Sequence, residues 1–203
     1  MQEHYFSKSP TAEQNELEFD YHFADKDFKF RTDSSVFSRT RIDFGSALLI
    51  ESAVIDDGSK MLDLAAGYGA IGIILAAGLQ EGQLFFSDIN ERAVKLTKDN
   101  IVLNSELIAR AVEITVLQSD GFAEISERDF DYILLNPPIR AGKQVIFKLY
   151  RETQIALKKG GELWIVIQKK QGAPSTIKEL ETIYSKVEII NKDKGYFIIK
   201  STK

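Results

Sequence analysis

The sequence contains no cysteine, only four prolines and a single tryptophan, and no apolar run long enough to span a bilayer. Without cysteine there is no disulfide framework, no thiolate metal site and no thiolate nucleophile. The two histidines, His4 and His22, lack partners at ligand spacing, so no metal site is expected. A membrane helix needs about 20 consecutive apolar residues, and none is present. The first residues, Met1-Gln2-Glu3-His4-Tyr5, do not follow the basic-then-apolar pattern of a secretion signal, so the cytoplasm is the expected location. A cationic excess is missing too: 26 Lys and Arg against 30 Asp and Glu leave a net charge of −4. Indiscriminate polyanion binding gains no support from that balance. A nucleic-acid partner would have to be gripped by a local basic patch, or met as part of a larger particle.

What is present suits one domain. A chain of 203 residues that is 44% hydrophobic can bury one substantial core. Residues 1–16 are polar and expected to be flexible, and residues 17–203 to form a single domain. Two alternating stretches, Glu18–Phe23 and Asp27–Arg31, read as a β-hairpin across Ala24-Asp25-Lys26. Asp43–Val54 reads as a helix. From residue 60 strands and helices alternate: strands at 60–65, 83–87, 112–117, 130–135 and 162–168, with helices at 70–77, 90–104, 143–157 and 176–184. The last helix is expected to open with a Thr176-x-x-Glu179 capping box. Lys186–Ile190 and Tyr196–Lys200 read as a closing hairpin. This alternation predicts an α/β, Rossmann-like, doubly wound and mostly parallel seven-stranded sheet, with an antiparallel strand from the closing hairpin and a small N-terminal β-hairpin beside it. Leu163-Trp164-Ile165-Val166-Ile167 is apolar throughout, as a central strand should be. In such sheets ligands bind beyond the carboxyl ends of the strands.

At the first of those ends stands Asp63-Leu64-Ala65-Ala66-Gly67-Tyr68-Gly69-Ala70-Ile71-Gly72. Gly67-x-Gly69-x-x-Gly72 lets backbone approach a ligand at a helix N-terminus, although a plain strand-to-helix turn would use the same glycines. Asp88 follows Gly67 by about 20 positions, where a carboxylate accepts hydrogen bonds from ribose hydroxyls. With its neighbour Ile89 it completes a site for an adenosine-containing cofactor. Two further acids favour S-adenosyl-L-methionine over NAD. Asp63, inside the strand, is placed to hold the positively charged amino-acid end. Asp120, with Gly121 at the end of the third strand, is placed to meet the adenine amine.

The fourth strand runs into Asn136-Pro137-Pro138-Ile139. Prolines after an apolar strand stiffen the chain and end the ladder. They fix Asn136, whose amide oxygen can accept a hydrogen bond from an –NH₂ group together with the Pro137 carbonyl. The delocalised lone pair of a base amine makes it a poor nucleophile, so alignment and stabilisation of developing charge are what such a site supplies. A base in a duplex would first be flipped out.

These motifs resemble the class I methyltransferases, and among them the small-subunit ribosomal RNA guanine-N2 methyltransferase family, nearest to its short single-domain bacterial members. The likeness runs from about residue 17 to the C-terminus. It rests on the glycine loop quoted above, on Asn136-Pro137-Pro138-Ile139-Arg140-Ala141-Gly142-Lys143, and on Val36-Phe37-Ser38 followed by Asp43-Phe44-Gly45-Ser46. The resemblance implies catalytic roles for Asn136, Pro137 and Pro138. It implies cofactor contacts from Phe37, Ser38, Asp63, Ala65, Gly67, Gly69, Asp88, Ile89, Asp120, Gly121 and Asn136, and substrate contacts from Ile139, Arg140 and Lys143. RNA, as ribosomal RNA or the small subunit, is the implied partner. Methylation of a pyrimidine C5 is excluded, because that chemistry needs a thiolate. Two departures stand out: Ala65-Ala66 replaces the family's usual Gly-Cys, and Ile139 stands where many Asn-Pro-Pro enzymes have a stacking aromatic, leaving Phe37 and Phe147 as candidates for that task.

Arg140, Lys143, Lys148 and Arg151 follow the Asn-Pro-Pro loop, Arg39 and Arg41 precede the first core helix, and Lys169-Lys170 ends the fifth strand. They form either a phosphate-binding rim or an ordinary solvated surface. Two other readings stay open: N-methylation of a protein glutamine amide or another small amine by the same fold, and a nicotinamide-dependent oxidoreductase, in which Asn-Pro-Pro has no role.

Overall fold

The order of the strands in one sheet decides which loops meet. The computed structural model describes residues 15–34, 36 and 38–203, so the expected flexible terminus falls almost wholly outside it. The chain runs β1 (Leu17–Phe23), β2 (Lys26–Thr32), α1 (Phe44–Ser52), β3 (Lys60–Leu64), α2 (Ala70–Ala76), β4 (Glu81–Asp88), α3 (Glu91–Leu103), β5 (Ala111–Gln118), β6 (Phe130–Leu135), α4 (Lys143–Ala156), β7 (Leu157–Gln168), α5 (Ala173–Glu181), β8 (Lys186–Asp193) and β9 (Tyr196–Thr202). β1 and β2 pair as the expected hairpin. The other seven strands form one sheet in the order β5-β4-β3-β6-β7-β9-β8. β9 runs antiparallel to both of its neighbours, and the remaining pairs are parallel. The order reverses between β3 and β6, and the glycine loop and Asn136 follow those two strands.

Alternation along the strands splits the core into two layers. Met61, Tyr132, Leu134, Trp164 and Val166 face α1, α2 and α3, where Leu49, Ile73 and Leu96 meet them. Leu62, Ile133, Leu135, Leu163 and Ile165 face α4 and α5, where Leu149, Tyr150 and Leu180 meet them. Trp164 is core, as expected, with its indole N–H donating to Glu162.

Three boundaries differ from the sequence reading. α5 begins at Ala173 behind Gly172, whose φ is 108°, and Thr176 is a buried residue within the helix. The expected capping box is therefore absent. Thr176 instead sits with its hydroxyl 3.3 Å from that of Tyr150. β7 starts at Leu157, directly from α4, and its pairing with β6 skips from Leu157 to Glu162. The closing hairpin is longer than expected, with only Lys194-Gly195 between β8 and β9.

The N-terminal hairpin is fixed to the domain by apolar and polar contacts. Phe28 and Phe30 are fully buried in the first layer, each contributing about 1.5–3 kcal/mol by burial. Beside them, two asparagines one helical turn apart on α3 act as a surrogate strand. Asn100 accepts from the Arg31 N–H at 2.7 Å and donates to the Arg31 carbonyl at 2.9 Å. Asn104 does the same for Lys29, at 3.0 and 2.8 Å. Asn100 also donates to the Tyr68 carbonyl in the glycine loop, at 2.8 Å. Replacing Asn100 with Ala strands one buried backbone carbonyl, that of Tyr68, and two part-buried groups of Arg31, and an unpaired buried group costs about 1–3 kcal/mol. Urea titration of Asn100→Ala should show stability lower by roughly 2–4 kcal/mol; a loss below about 0.5 kcal/mol would mean that water replaces the amide.

Candidate active site

The loop between β3 and α2 must turn tightly while leaving its backbone open on one side. Ala65 begins the turn with a φ of 58°, a left-handed conformation that costs a side-chain-bearing residue about 1–2 kcal/mol. This is the physical reason for a glycine at that place in the family it resembles. Gly67 has a φ of 61°, and an added Cβ would meet nothing within 4 Å, so its open side is free for a ligand. Gly72 serves packing: a Cβ there would lie 2.4 Å from the Phe86 ring.

Side chains hold this loop from beneath. Asp88 accepts the Gly67 N–H at 2.8 Å and the Asn90 N–H at 2.9 Å. Asp63, 1% exposed, accepts the Gly72 N–H at 2.8 Å. Thr97 donates to the Gly67 carbonyl at 3.0 Å. Gly69 packs against Thr97 as the residue preceding α2. Burial raises the Asp63 carboxyl to about 7 against the opposing hydrogen bond from Gly72. Burial likewise raises Asp88 to about 6, opposed by the Asn90, Gly67 and Ile89 N–H groups. Asp63 thus braces the loop from beneath and is not among the residues that wall the neighbouring cavity.

Beside the loop opens a cavity of about 230 Å³, walled by Leu64, Ala65, Ser87, Asp88, Ile89, Ser119, Asp120, Gly121, Pro138, Ala141, Val145 and Leu149. It brings together six residues singled out from sequence: Ala65, Asp88, Ile89, Asp120, Gly121 and Pro138. Ala141, Val145 and Leu149 were missed, although their spacing by four along α4 and the turn before it forms a helical stripe. The buried Ser87 hydroxyl in the wall has no hydrogen-bond partner, as suits a surface that a polar ligand completes. A second hollow, of about 490 Å³, lies at the amino ends of the strands between Asp56, Asp57, Asp131 and Glu162, far from the glycine loop.

Asn136 ends β6 and stands two residues before Pro138. Its amide nitrogen donates to the Ser46 hydroxyl at 2.9 Å, which leaves the amide oxygen as the free acceptor. Ser46 lies in the first turn of α1, where the Asp43 carboxylate caps the Gly45 and Ser46 N–H groups at 3.0 and 3.2 Å. Ile139–Ala141 then makes a short 3₁₀ turn into α4, with Ile139 packed on the second layer. Ser38, with a φ of 59°, donates to the Arg41 carbonyl and is outside the cavity wall; Phe37 lies outside the described residues. Phe147 packs 5.9 Å from Tyr150 with Lys143 over its ring. It is half-buried against the second layer of the core.

The cations sort into two kinds. Lys148 pairs with Glu152 at 3.5 Å, and Arg151 pairs with Glu179. Arg140 and Lys143 are exposed and make no ion pair among the described residues. No cluster of three metal-binding side chains occurs among the described residues.

The methyltransferase small domain profile matches residues 27–200. The uncharacterised protein YbxB of Bacillus subtilis is 43% identical over the full length of both chains. Ribosomal RNA small subunit methyltransferase C of Hamiltonella defensa is 32% identical over 87% of this chain and 51% of its own length. This chain therefore spans about half of that relative. Among solved structures, the Thermus thermophilus 16S rRNA N2 G1207 methyltransferase, in complex with AdoMet and guanosine, superposes with a TM-score of 0.78 at 23% identity, covering 96% of this chain and 52% of that one. The chain belongs to the methyltransferase small domain family, whose methyl donor is S-adenosylmethionine.

Proposed function

We propose that this protein transfers the methyl group of S-adenosylmethionine to the exocyclic amine of a base in RNA, namely guanine N2 of small-subunit ribosomal RNA. The observation that carries this reading is the Asn136 amide. Ser46 engages its nitrogen, so its oxygen is the acceptor that remains, two residues before Pro138 of the cavity wall. An acceptor oxygen next to the Pro137 carbonyl suits the two N–H bonds of an exocyclic amine. Similarity to the small-subunit enzyme of Hamiltonella defensa supports the choice of RNA, and the guanosine in the Thermus thermophilus complex supports the choice of base. With such an acceptor, the protein works in the cytoplasm.

When bound, S-adenosylmethionine would supply an electrophilic methyl, and its transfer to the amine nitrogen would break the sulfur–methyl bond and leave the thioether. Asp88 would hold the ribose hydroxyls, Asp120 the adenine amine, and Ile89, Val145 and Leu149 the apolar faces of the ring. Gly67 offers backbone at close range, and Asp63 keeps that backbone in place. Asn136 and Pro137 align the amine lone pair with the methyl and stabilise the positive charge that develops on nitrogen. The amine proton then leaves to water. Ile139, Arg140 and Lys143 contact the substrate beside the loop.

The direct test is radiolabelled methyl transfer to 16S rRNA and to small subunits, followed by nucleoside analysis. N2-methylguanosine is expected; transfer only to protein, or none to RNA, would sink the proposal. Asn136→Ala should lower kcat by about 100-fold or more, with calorimetric affinity for S-adenosylmethionine almost unchanged. A large loss of that affinity would refute the role given to Asn136.

Ser46→Ala should free the amide to rotate and lower kcat about 10-fold, with KM and cofactor affinity unmoved. Because Ser46 acts through Asn136, the double substitution should be no worse than Asn136→Ala alone. Additive losses would show that Ser46 serves only the packing of α1.

The raised carboxyls fix the sign of a pH effect. Above about pH 4 the folded, ligand-free protein holds protons that the unfolded chain has released, on Asp88 up to about pH 6 and on Asp63 up to about pH 7. Its stability therefore falls as pH rises through that window, by up to about 1.4 kcal/mol per pH unit for each group. Asp63→Asn keeps an acceptor for Gly72 and removes the charge, so urea midpoints measured from pH 5 to 8 should show a shallower slope. An unchanged slope would show that Asp63 ionises normally.

A further inference from the structure

We propose that the tip of the closing hairpin is an RNA-docking surface, on which Lys192 and Lys194, with Lys169 and Lys170 at the end of β7, hold phosphates of the strand that carries the target base. The inference rests on the RNA reading above and adds to it the surface that grips the substrate.

Topology brings the tip to the functional edge. β9 pairs with β7 so that Tyr196 stands opposite Gln168, and the Lys169 N–H donates to the Gly195 carbonyl at 2.7 Å. The turn at Lys194-Gly195 is therefore level with the carboxyl ends of the parallel strands. The sheet order puts β7 and β9 on the side of β6 away from β3, β4 and β5, whose ends wall the cofactor cavity. RNA lying over β7 and β9 would approach Asn136 without crossing that cavity.

Contacts tie the tip to the reacting loop. The Tyr196 ring lies 5.5 Å from Phe44, and Gly45 has no room for a Cβ, which would sit 2.9 Å from the Tyr196 ring. Phe44 opens α1, and Ser46 in the same turn holds the Asn136 amide. The tip is thus one helical turn away from the proposed amine acceptor.

Its charges are available. Lys169, Lys170, Lys192 and Lys194 are exposed, and none makes an ion pair among the described residues. Lys194 lies over the Phe44 ring at 4.5 Å and Lys192 over Phe197 at 4.8 Å. In both it is the ammonium itself that sits over the ring, a cation–π contact that commits neither lysine to a carboxylate. At the far end of the same hairpin the pattern reverses: Lys186 pairs with Glu188 at 2.8 Å, and Lys200 with Glu162 at 3.1 Å. Asp193 is the single acid in the tip. In a chain of net charge −4, four exposed lysines gather at this edge of the sheet, Lys194 on the face of Phe44 and Lys192 on the opposite face with Phe197, and they supply the local positive charge that a polyanion requires.

The test compares the full-length protein with Lys169→Ala/Lys170→Ala/Lys192→Ala/Lys194→Ala and with a control, Lys98→Ala/Lys178→Ala, on the exposed faces of α3 and α5. Binding to 16S rRNA fragments is measured over a salt series, alongside methylation and calorimetric affinity for S-adenosylmethionine. The quadruple variant should bind RNA about 10-fold or more weakly, with the slope of log affinity on log salt shallower by roughly 0.7 for each lysine that contacts a phosphate. Its cofactor affinity and melting temperature should match the control. Equal RNA affinity and salt slope in all three proteins would overturn the docking surface while leaving RNA methylation standing. Weakening confined to assembled subunits, with naked RNA unaffected, would assign the tip to a ribosomal protein and overturn it as well. Failure of the unmodified protein to bind or methylate any RNA would remove the proposed function itself.

Discussion

The structure depends on a stretch of backbone that must stay bare on one side and hydrogen-bonded on the other. Residues 65–72 turn from strand to helix with the Gly67 face open. Their polar groups are served from below by Asp88, Asp63, Thr97 and Asn100. Each such group left unpaired would cost about 1–3 kcal/mol, so the supporting side chains are as necessary as the glycines. They come from β3, β4 and α3, which binds the loop to the sheet beneath it. Asn100 extends the unit further, because the same amide that holds Tyr68 also completes the edge of β2. The N-terminal hairpin, the loop and the cofactor strands are therefore one mechanical body.

That body also explains which parts of the fold were legible in the sequence. Strand and helix types followed from apolar periodicity, and the order of the motifs followed from the α/β alternation. Boundaries moved where a backbone conformation outweighed a side-chain signal. Gly172 starts α5 although Thr176-x-x-Glu179 offered a cap, because Thr176 is drawn inward to Tyr150. The buried asparagines were not legible, since a polar residue on a helix reads as solvent-facing until its backbone partner is known. Asp63 was noticed for its position, and its bond to the Gly72 N–H was not legible: sequence shows a carboxylate near a ligand loop, but not which backbone group it holds.

The site residues divide in the same way. Those in the cavity wall occupy strand ends, where spacing after a glycine loop locates them. Ala141, Val145 and Leu149 belong to the opposite wall and reach it only because α4 packs across the end of the sheet. Basic residues near the Asn-Pro-Pro loop looked equivalent in sequence. The folded chain commits Lys148 to Glu152 one turn on in the same helix and Arg151 to Glu179 across the α4–α5 contact, and leaves Arg140 and Lys143 exposed.

Donor and acceptor halves of the site are built on different parts of the sheet. β3, β4 and β5 carry the glycine loop, Asp88 and Asp120. β6, with α1 packed over β7 and β9, carries Asn136 and its Ser46 brace. Strain is present on the first side, where Ala65 holds a left-handed φ while the next N–H bonds the Ser87 carbonyl at 3.0 Å. On the second side there is preorganisation instead: Asp43 caps α1, α1 places Ser46, and Ser46 holds the Asn136 amide nitrogen. An amide already aligned loses less orientational freedom at the moment of reaction. Because the brace is anchored beneath Tyr196, the alignment of the acceptor is coupled to the closing hairpin rather than to the cofactor loop. A hairpin that grips RNA and steadies α1 would therefore link substrate docking to the geometry of the reacting amine, while the cofactor half is left to bind its ligand independently.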